Sequence, residues 1–232
     1  MDKKIQLFIL PFAGGDAHSF NRLLPMLNPA IESFVINYSG RLHRRKEGYI
    51  ENYNDFLYDV ANQIMSVKNN VLPYVLFGYS LGSVILYDLC VNKLLSGDLK
   101  HLFVCSKGSL HNKSKVDHDE GYSDDEVIDE IKYLGGTDER ILNNPRFLSI
   151  YMEPVKMDFN IWRQFIYHPG TINCNATMMF SHFDPAARGV HDWDINIKGQ
   201  TEYFDMGTNH FFIKDNWQRV ADIINSNINM YI

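Results

Sequence analysis

The sequence predicts an α/β fold in which a mainly parallel sheet is covered by helices on both faces. Short apolar runs that end at Pro, Gly or Ser alternate with longer stretches whose apolar residues recur at helical spacing. One of these runs, Tyr74–Phe77, leads through a glycine-bounded turn straight into an apolar helix. Strands that alternate with helices in this way are typical of parallel sheets.

The first half of the chain predicts a strand, a helix, a second strand and a second helix. Ile5–Leu10 is an apolar run ended by Pro11, and Phe34–Tyr38 is a second run that Ser39-Gly40 breaks. Apolar stripes at helical spacing predict the two helices. They consist of Phe20, Leu23, Leu24 and Leu27 in the first, and of Tyr53, Phe56, Leu57, Val60 and Ile64, with Asn52 as N-cap, in the second.

The second half continues this order. A helix is predicted over Leu81–Leu95, directly after the third strand, and another near Trp217, Val220 and Ile224. The remaining strands are short apolar runs. They are Leu102–Cys105, Ala176–Phe180 and Thr201–Phe204.

The stretch from about residue 108 to 169 departs from the alternation because it is helical in pattern throughout. Ser123 and Glu126 form a capping box ahead of an apolar stripe that Gly135 ends. Asn144-Pro145 starts a further helix, which Pro154 kinks or restarts. We therefore expect one domain over residues 1–232, with two or three helices inserted as a lid.

Composition and charge argue against several classes of protein. The formal net charge of -6 lacks the excess of Lys and Arg that nucleic-acid binding requires. No stretch of about eighteen apolar residues exists, and the basic start is not followed by an export signal. The three cysteines, Cys90, Cys105 and Cys174, are far apart, so we expect reduced thiols in a cytoplasmic monomer. No His or Cys pair has zinc spacing, and we expect neither a metal nor a cofactor.

The motif Gly78-Tyr79-Ser80-Leu81-Gly82 lies between an apolar strand and a helix. This is the context of a nucleophile elbow, where a serine on a sharp, strained turn is presented at the end of a strand. The helix N-terminus behind it favours the negative charge that develops at a reacting carbonyl. A chance Gly/Ser turn is the simpler interpretation of the motif alone. With its flanking elements the motif indicates an α/β-hydrolase fold with Ser80 as nucleophile.

Such a serine needs a base, and the base needs an acid that fixes its tautomer. His210 lies in a loop after the last predicted strand, where this fold places the base, although a surface histidine is the alternative. Asp184 follows the fifth strand and is predicted as the acid, against a capping role ahead of Pro185. Its rivals are Asp192, Asp194 and Asp205.

Acyl transfer also needs two backbone N–H donors for the tetrahedral oxyanion. Leu81 follows the nucleophile, and Ala13 lies in the loop after the first strand, so these two N–H groups are the predicted donors. Gly14-Gly15 would let that loop approach a substrate closely. A phosphate-binding loop is the weaker interpretation, because no Lys-Ser or Lys-Thr follows.

Motifs over nearly the whole chain match a known family. They are Pro11-Phe12-Ala13-Gly14-Gly15 with Phe20, Ser39-Gly40-Arg41 with Arg44, the elbow, Leu134-Gly135-Gly136-Thr137 with Asn144-Pro145, Asp184-Pro185, and His210-Phe211-Phe212. On these residues the chain resembles the type II thioesterases that accompany nonribosomal peptide and polyketide synthases. Tyr79 departs from the pattern, because the family usually has His there.

The resemblance implies hydrolysis of acyl or aminoacyl thioesters on the phosphopantetheine arms of acyl or peptidyl carrier domains, which clears misprimed or stalled synthases. A product-releasing thioesterase or a general acyl esterase on the same triad is one alternative. A carrier-binding module without catalysis is another, against which the intact Ser, Asp and His argue.

Some residues are expected to contact the acyl group or the carrier. The basic run at Arg41, Arg44 and Arg45 would steer an acidic carrier domain, although a solvated loop is the simpler interpretation. Phe159 and Trp162 would line an acyl channel, although helical packing explains such a stripe equally well. Tyr79 would alter the pocket beside the nucleophile.

Overall fold

A six-stranded sheet forms the centre of the computed structural model, which describes residues 2–111, 121–135, 137, 139–142 and 144–232. The strands are β1 (Ile5–Leu10), β2 (Ile31–Val35), β3 (Tyr74–Tyr79), β4 (Leu99–Cys105), β5 (Asn175–Phe180) and β6 (Thr201–Asp205). Their order across the sheet is β2-β1-β3-β4-β5-β6, and all five pairings are parallel. The parallel sheet and the predicted α/β class are thereby confirmed.

Six α-helices accompany the sheet in the described part of the chain. They are α1 (Tyr53–Val67), α2 (Leu81–Val91), α3 (Asp124–Leu134), α4 (Glu139–Leu142), α5 (Pro145–Gln164) and α6 (Trp217–Ile228). Side chains alternate along a strand, so the residues of β1 contribute to two separate hydrophobic cores. Phe8 and Leu10 pack with α1 and α2 on one face, whereas Leu7 and Ile9 pack with α6 on the other. Helices on both faces explain why every residue of β1 and β3 is buried.

Several predicted elements differ from those observed. The helix expected near Phe20 is instead two 3-10 turns, Ala17–Phe20 and Leu24–Met26. Pro25, the second residue of the latter turn, has no N–H with which to continue a helix. Strand β2 spans Ile31–Val35 rather than Phe34–Tyr38. Helix α2 ends at Val91 rather than Leu95, because Lys93 adopts a left-handed conformation with φ 54°.

Helices α3, α4 and α5 lie between β4 and β5, in the stretch that the sequence singles out. The capping box at Ser123 and Glu126 is confirmed, with the Ser123 N–H donating to the Glu126 carboxylate at 2.7 Å. Gly135 ends α3 with φ 72°, as expected, while Gly136 lies outside the described residues. Helix α5 continues through Pro154, so the predicted restart there is wrong. Its long apolar face packs on α2 and α3, which outweighs the lost hydrogen bond.

The cysteines are free thiols, with Cys105 and Cys174 buried and Cys90 half-buried. Burial raises the pKa of Cys174 to about 12, so this thiol stays protonated at neutral pH. No helix within the described ranges combines the length and apolarity that a membrane crossing requires.

Candidate active site

Ser80 lies on the turn between β3 and α2 and has a backbone conformation rare for a residue with a side chain, φ 51° and ψ -109°. The two glycines of the motif make this turn possible. A Cβ on Gly82 would overlap the Leu10 carbonyl oxygen, and one on Gly78 would lie 2.6 Å from the Gly82 carbonyl oxygen. Strand and helix therefore cross at backbone contact distance, and the turn presents Ser80 at the carboxyl edge of the sheet.

Buried hydrogen bonds stabilise the conformation of this turn. The Ser80 N–H donates to the Cys105 carbonyl at 2.8 Å, which ties the turn to the end of β4. The Ser83 hydroxyl, fully buried, donates to the Gly78 carbonyl at 2.8 Å and accepts from the Cys105 N–H at 3.3 Å. These bonds fix a strained conformation that the chain would otherwise avoid.

His210 and Asp184 are joined in a buried pair. The Nδ1 atom of His210 lies 2.9 Å from Oδ2 of Asp184, and both side chains are almost fully buried. The other carboxylate oxygen of Asp184 accepts the Ala186 N–H at 2.9 Å, capping the 3-10 turn Pro185–Ala187. Asp184 therefore both caps this turn and pairs with His210. With Nδ1 on the carboxylate, Nε2 of His210 is left to accept a proton.

The rival carboxylates have other positions. Asp205 accepts from Nδ1 of His182 at 2.6 Å on the surface, and Asp194 accepts from the Tyr203 hydroxyl at 2.6 Å. The N–H of Asp192 belongs to the turn that starts at Gly189. The structure therefore brings Asp184, rather than these three, to His210.

Two hydroxyl groups fix the backbone of His210. Tyr79 donates to its carbonyl oxygen at 2.7 Å, and Ser106 donates to the same oxygen at 2.6 Å. Tyr79 is fully buried, and its ring packs edge-on against the imidazole. Tyr79 would act on the substrate pocket only through its neighbours Phe12 and His210, and its expected influence there stays a prediction. It precedes Ser80 in an extended strand, so its side chain points to the opposite side, into the core.

Ser80 and His210 border one cavity of about 300 Å³. Most of its other walls are aliphatic or aromatic side chains from α3, α4, α5 and the loops after β1 and β6. They include Phe12, Ile131, Leu134, Leu142, Leu148, Met152, Val155, Phe159 and Phe211. Phe159 thus lies where the sequence places it. Trp162 is absent from the described walls and stacks instead on Phe165, 5.6 Å between ring centroids, so its expected role in the channel is wrong.

One predicted oxyanion donor borders this cavity, and the other directly follows Ser80 in the chain. Ala13 forms part of its wall, and Leu81 is the first residue of α2, directly after Ser80. A helix N-terminus directs unpaired N–H groups and partial positive charge toward the carbonyl that Ser80 would attack.

Two of the three arginines in the basic run are not available for docking. Arg41 and Arg44 are each about 8% exposed, and both are bound to carboxylates. Arg41 forms two hydrogen bonds with Asp158, and Arg44 forms two with Asp59. The expectation that these two arginines contact a carrier is therefore wrong, because both guanidinium groups face inward. Arg45 is exposed.

Two charged residues near the cavity have altered acidity. Burial raises the pKa of Glu130 on α3, while the nearby His210 and Lys107 act in the opposite direction. Burial also lowers the pKa of Lys214, whose ammonium lies 4.5 Å from the Phe211 ring centroid on the cavity wall. In the described part of the chain, no cluster of three or more His, Cys, Asp or Glu side chains is arranged to hold a metal ion.

Sequence reasoning misses Ser83, Ser106 and Asp158. Asp158 carries a detectable signal, since it lies three residues after Val155 and just before Phe159, on the apolar stripe of a helix. A carboxylate in that position predicts a buried partner. Ser106 has no such signal, because its role depends on two loops that are 104 residues apart.

Comparisons with known proteins give the family of this chain. The model of the family described as Thioesterase domain matches residues 5–228. The chain is 24% identical to the thioesterase PikA5 of Streptomyces venezuelae, covering 97% of this chain and 81% of that protein. It is also 24% identical to the gramicidin S biosynthesis protein GrsT of Aneurinibacillus migulanus, covering 90% and 83%.

Solved structures share the fold. ClbQ from the colibactin pathway superposes with a TM-score of 0.87 at 21% identity, over 99% of this chain and 98% of that one. RedJ, a thioesterase of prodiginine biosynthesis in Streptomyces coelicolor, gives a TM-score of 0.84 at 20% identity, over 97% and 86%. The arrangement of sheet and helices is therefore common to these proteins.

Proposed function

This chain belongs to the thioesterase domain family, and on that premise we propose that it is a type II, editing thioesterase that hydrolyses acyl thioesters on carrier domains of a nonribosomal peptide or polyketide synthase. One observation carries the proposal. Ser80 and His210, the latter bound to Asp184, open onto the same apolar cavity as the predicted donor Ala13. Two relatives support a role in a biosynthetic pathway, since GrsT is named for gramicidin S biosynthesis and PikA5 is named as a thioesterase.

The proposed reaction has two halves. His210 takes the Ser80 proton on Nε2 as the Ser80 oxygen attacks the thioester carbonyl, and the Ala13 and Leu81 N–H groups bind the resulting oxyanion. The C–S bond then breaks, and His210 returns the proton to the pantetheine thiolate, leaving the acyl group as an ester on Ser80. Water activated by His210 cleaves that ester, which releases the carboxylic acid and restores the serine.

The lining of the cavity favours an aliphatic acyl group over an aminoacyl group. Its described walls are mainly apolar, and none of them is an Asp or Glu that would bind an α-ammonium. A volume of about 300 Å³ is at the small end of ligand pockets and suits a short or medium acyl chain rather than a finished product. Helices α3 to α5, which supply much of this wall, would act as the lid that excludes water.

The proposal predicts a preference for carrier-bound substrates. Contacts with the carrier would contribute binding energy that a free thioester lacks. The test loads a carrier domain with acetyl, hexanoyl, decanoyl and aminoacyl groups and follows release of the free-thiol carrier by intact mass, beside the matching acyl-pantetheines. Acyl-carrier should have the higher kcat/KM, and Ser80→Ala should remove activity. Equal efficiency on both would contradict carrier recognition and indicate a general acyl hydrolase.

Arg45 allows a separate test of docking. Its side chain is exposed, whereas Arg44 is held by Asp59 and Glu47. Arg45→Glu should lower kcat/KM on an acidic carrier several-fold, and added salt should reduce the difference from wild type. Activity on acyl-pantetheine should not change. Arg45→Gln separates loss of charge from reversal, and an unaltered carrier efficiency in both variants would indicate a solvated loop.

A further inference from the structure

Asp158, on the buried face of α5, binds the loop that follows β1. Its side chain is almost fully buried, and its Oδ2 accepts the Gly14 N–H at 2.7 Å. This N–H belongs to the peptide unit immediately after Ala13, the proposed oxyanion donor. A carboxylate from the inserted helices therefore fixes the backbone next to the reacting centre.

Arg41 holds both the carboxylate and the end of the same loop. Its guanidinium makes paired hydrogen bonds of 2.6 and 2.9 Å to the two oxygens of Asp158, and Nη1 also donates to the Gly15 carbonyl at 2.9 Å. Paired bonds between charged groups are short and directional, so they set the orientation of both partners. The Gly15 N–H donates to the Phe12 carbonyl at 2.8 Å and closes the turn.

Helix α5 also touches the loop through Val155. Gly14 has φ 76°, and a Cβ there would overlap the side chain of Val155. Val155 and Asp158 are three residues apart and therefore share one face of the helix. Val155 lines the cavity. The helix that forms an acyl wall thus rests directly on the loop that carries Ala13.

We propose that Asp158 and Arg41 are positioning residues for the oxyanion site, which hold the Ala13 N–H in its catalytic orientation only while α5 is seated on the loop. The inference rests on the proposed function, because it takes Ala13 as a donor. If this is correct, α5 closes over an acyl chain and completes the oxyanion site in the same step. Neither residue contacts the substrate in this proposal.

Asp158→Ala tests the inference. Loss of one oxyanion donor lowers kcat about 10²- to 10³-fold in serine hydrolases, and a similar fall is expected, with KM for a hexanoyl thioester within about threefold of wild type. Affinity for a trifluoromethyl ketone carrying the same acyl chain, which forms a tetrahedral adduct with the serine, should fall in parallel with kcat/KM. Affinity for hexanoate should not change. If Asp158 had only a structural role, its substitution would change the affinities for the ketone and for hexanoate alike.

A double variant allows for loss of folding. Asp158→Ala leaves Arg41 buried without its partner, whereas Arg41→Met with Asp158→Leu replaces the pair by apolar side chains, which buried sites often tolerate. This variant should keep the thermal unfolding temperature near wild type and remain slow. Recovery of kcat in it would overturn the inference. Asp59→Asn is the matched control, since it weakens the other arginine–carboxylate pair without touching the loop, and it should retain kcat.

The same assays separate this inference from the proposed function. Wild type that cleaves neither acyl thioesters nor a p-nitrophenyl ester would defeat the proposed function, and the inference with it. Active wild type together with Asp158→Ala at full kcat, or with a change in KM alone, would defeat the inference only.

Discussion

The Tyr79 hydroxyl donates a 2.7 Å hydrogen bond to the backbone carbonyl of His210, 131 residues further along the chain. The bond links the strand that carries the nucleophile to the loop that carries the base. Ser106, at the end of β4, donates to the same oxygen. Two hydroxyl groups bound to one buried carbonyl position the backbone of His210, while Asp184 orients its imidazole ring.

This arrangement predicts a graded response to removal of the two hydroxyls. Tyr79→Phe and Ser106→Ala should each lower kcat roughly three- to tenfold, because the carbonyl keeps one donor. The double variant leaves a buried oxygen without either donor, at a cost of about 1–3 kcal/mol, and should lose considerably more activity. Steady-state hydrolysis of an acyl thioester measures the effect. Tyr74→Phe, at the other end of β3, is the control. Wild-type kcat in the double variant would show that the two bonds do not position the base.

Asp184→Asn should lower kcat by about 10³- to 10⁴-fold with little loss of stability. The amide would keep the cap on the Ala186 N–H but would leave His210 without a carboxylate to fix its tautomer. Asp205→Asn is a matched control, because it alters the exposed aspartate–histidine pair with His182. Thermal unfolding run beside the kinetics separates folding from catalysis. A larger kinetic loss in Asp205→Asn would show that the acid is wrongly assigned.

How much of the site can be predicted from the sequence depends on how local each signal is. The elbow at Ser80 and the order of Asp184 and His210 are readable, because a short motif and the succession of strands determine them. Arg41 and Arg44 are misassigned, since a basic run does not reveal that Asp158 lies 117 residues away or that Asp59 faces Arg44 across a turn. Trp162 is misassigned because the apolar stripe of α5 serves both the cavity and the core. Partners brought together by tertiary folding leave little trace in local pattern.

His101 predicts a pH dependence of stability. Burial on β4 lowers the pKa of this histidine from 6.5 to about 4, and its Nε2 lies 2.8 Å from the Thr177 hydroxyl. The folded state therefore keeps it neutral at a pH where the unfolded chain binds a proton. The stabilisation is complete above pH 6.5 and is lost as the pH falls toward 4, by about 2 kcal/mol between pH 7 and pH 5.

Urea unfolding at these two pH values tests this dependence. His101→Gln, which does not titrate, should show a free energy of unfolding that falls less from pH 7 to pH 5 than that of wild type. Identical slopes in wild type and His101→Gln would mean that His101 titrates normally in the folded protein.

The cavity walls predict how acyl-chain preference responds to substitution. Met152 lines the cavity from α5, whereas Ile150, on the same helix, is 57% exposed. Met152→Trp should fill the space that long chains occupy and lower kcat/KM for a decanoyl thioester by about tenfold or more, since one methylene is worth about 1–3 kcal/mol in an apolar pocket. Hydrolysis of the acetyl thioester should change little, because its short chain fills little of the cavity. Met152→Ala should shift the preference toward longer chains, and Ile150→Trp should leave the profile unchanged. A uniform fall across all chain lengths in Met152→Trp would mean that the side chain disturbs the catalytic groups rather than the acyl space.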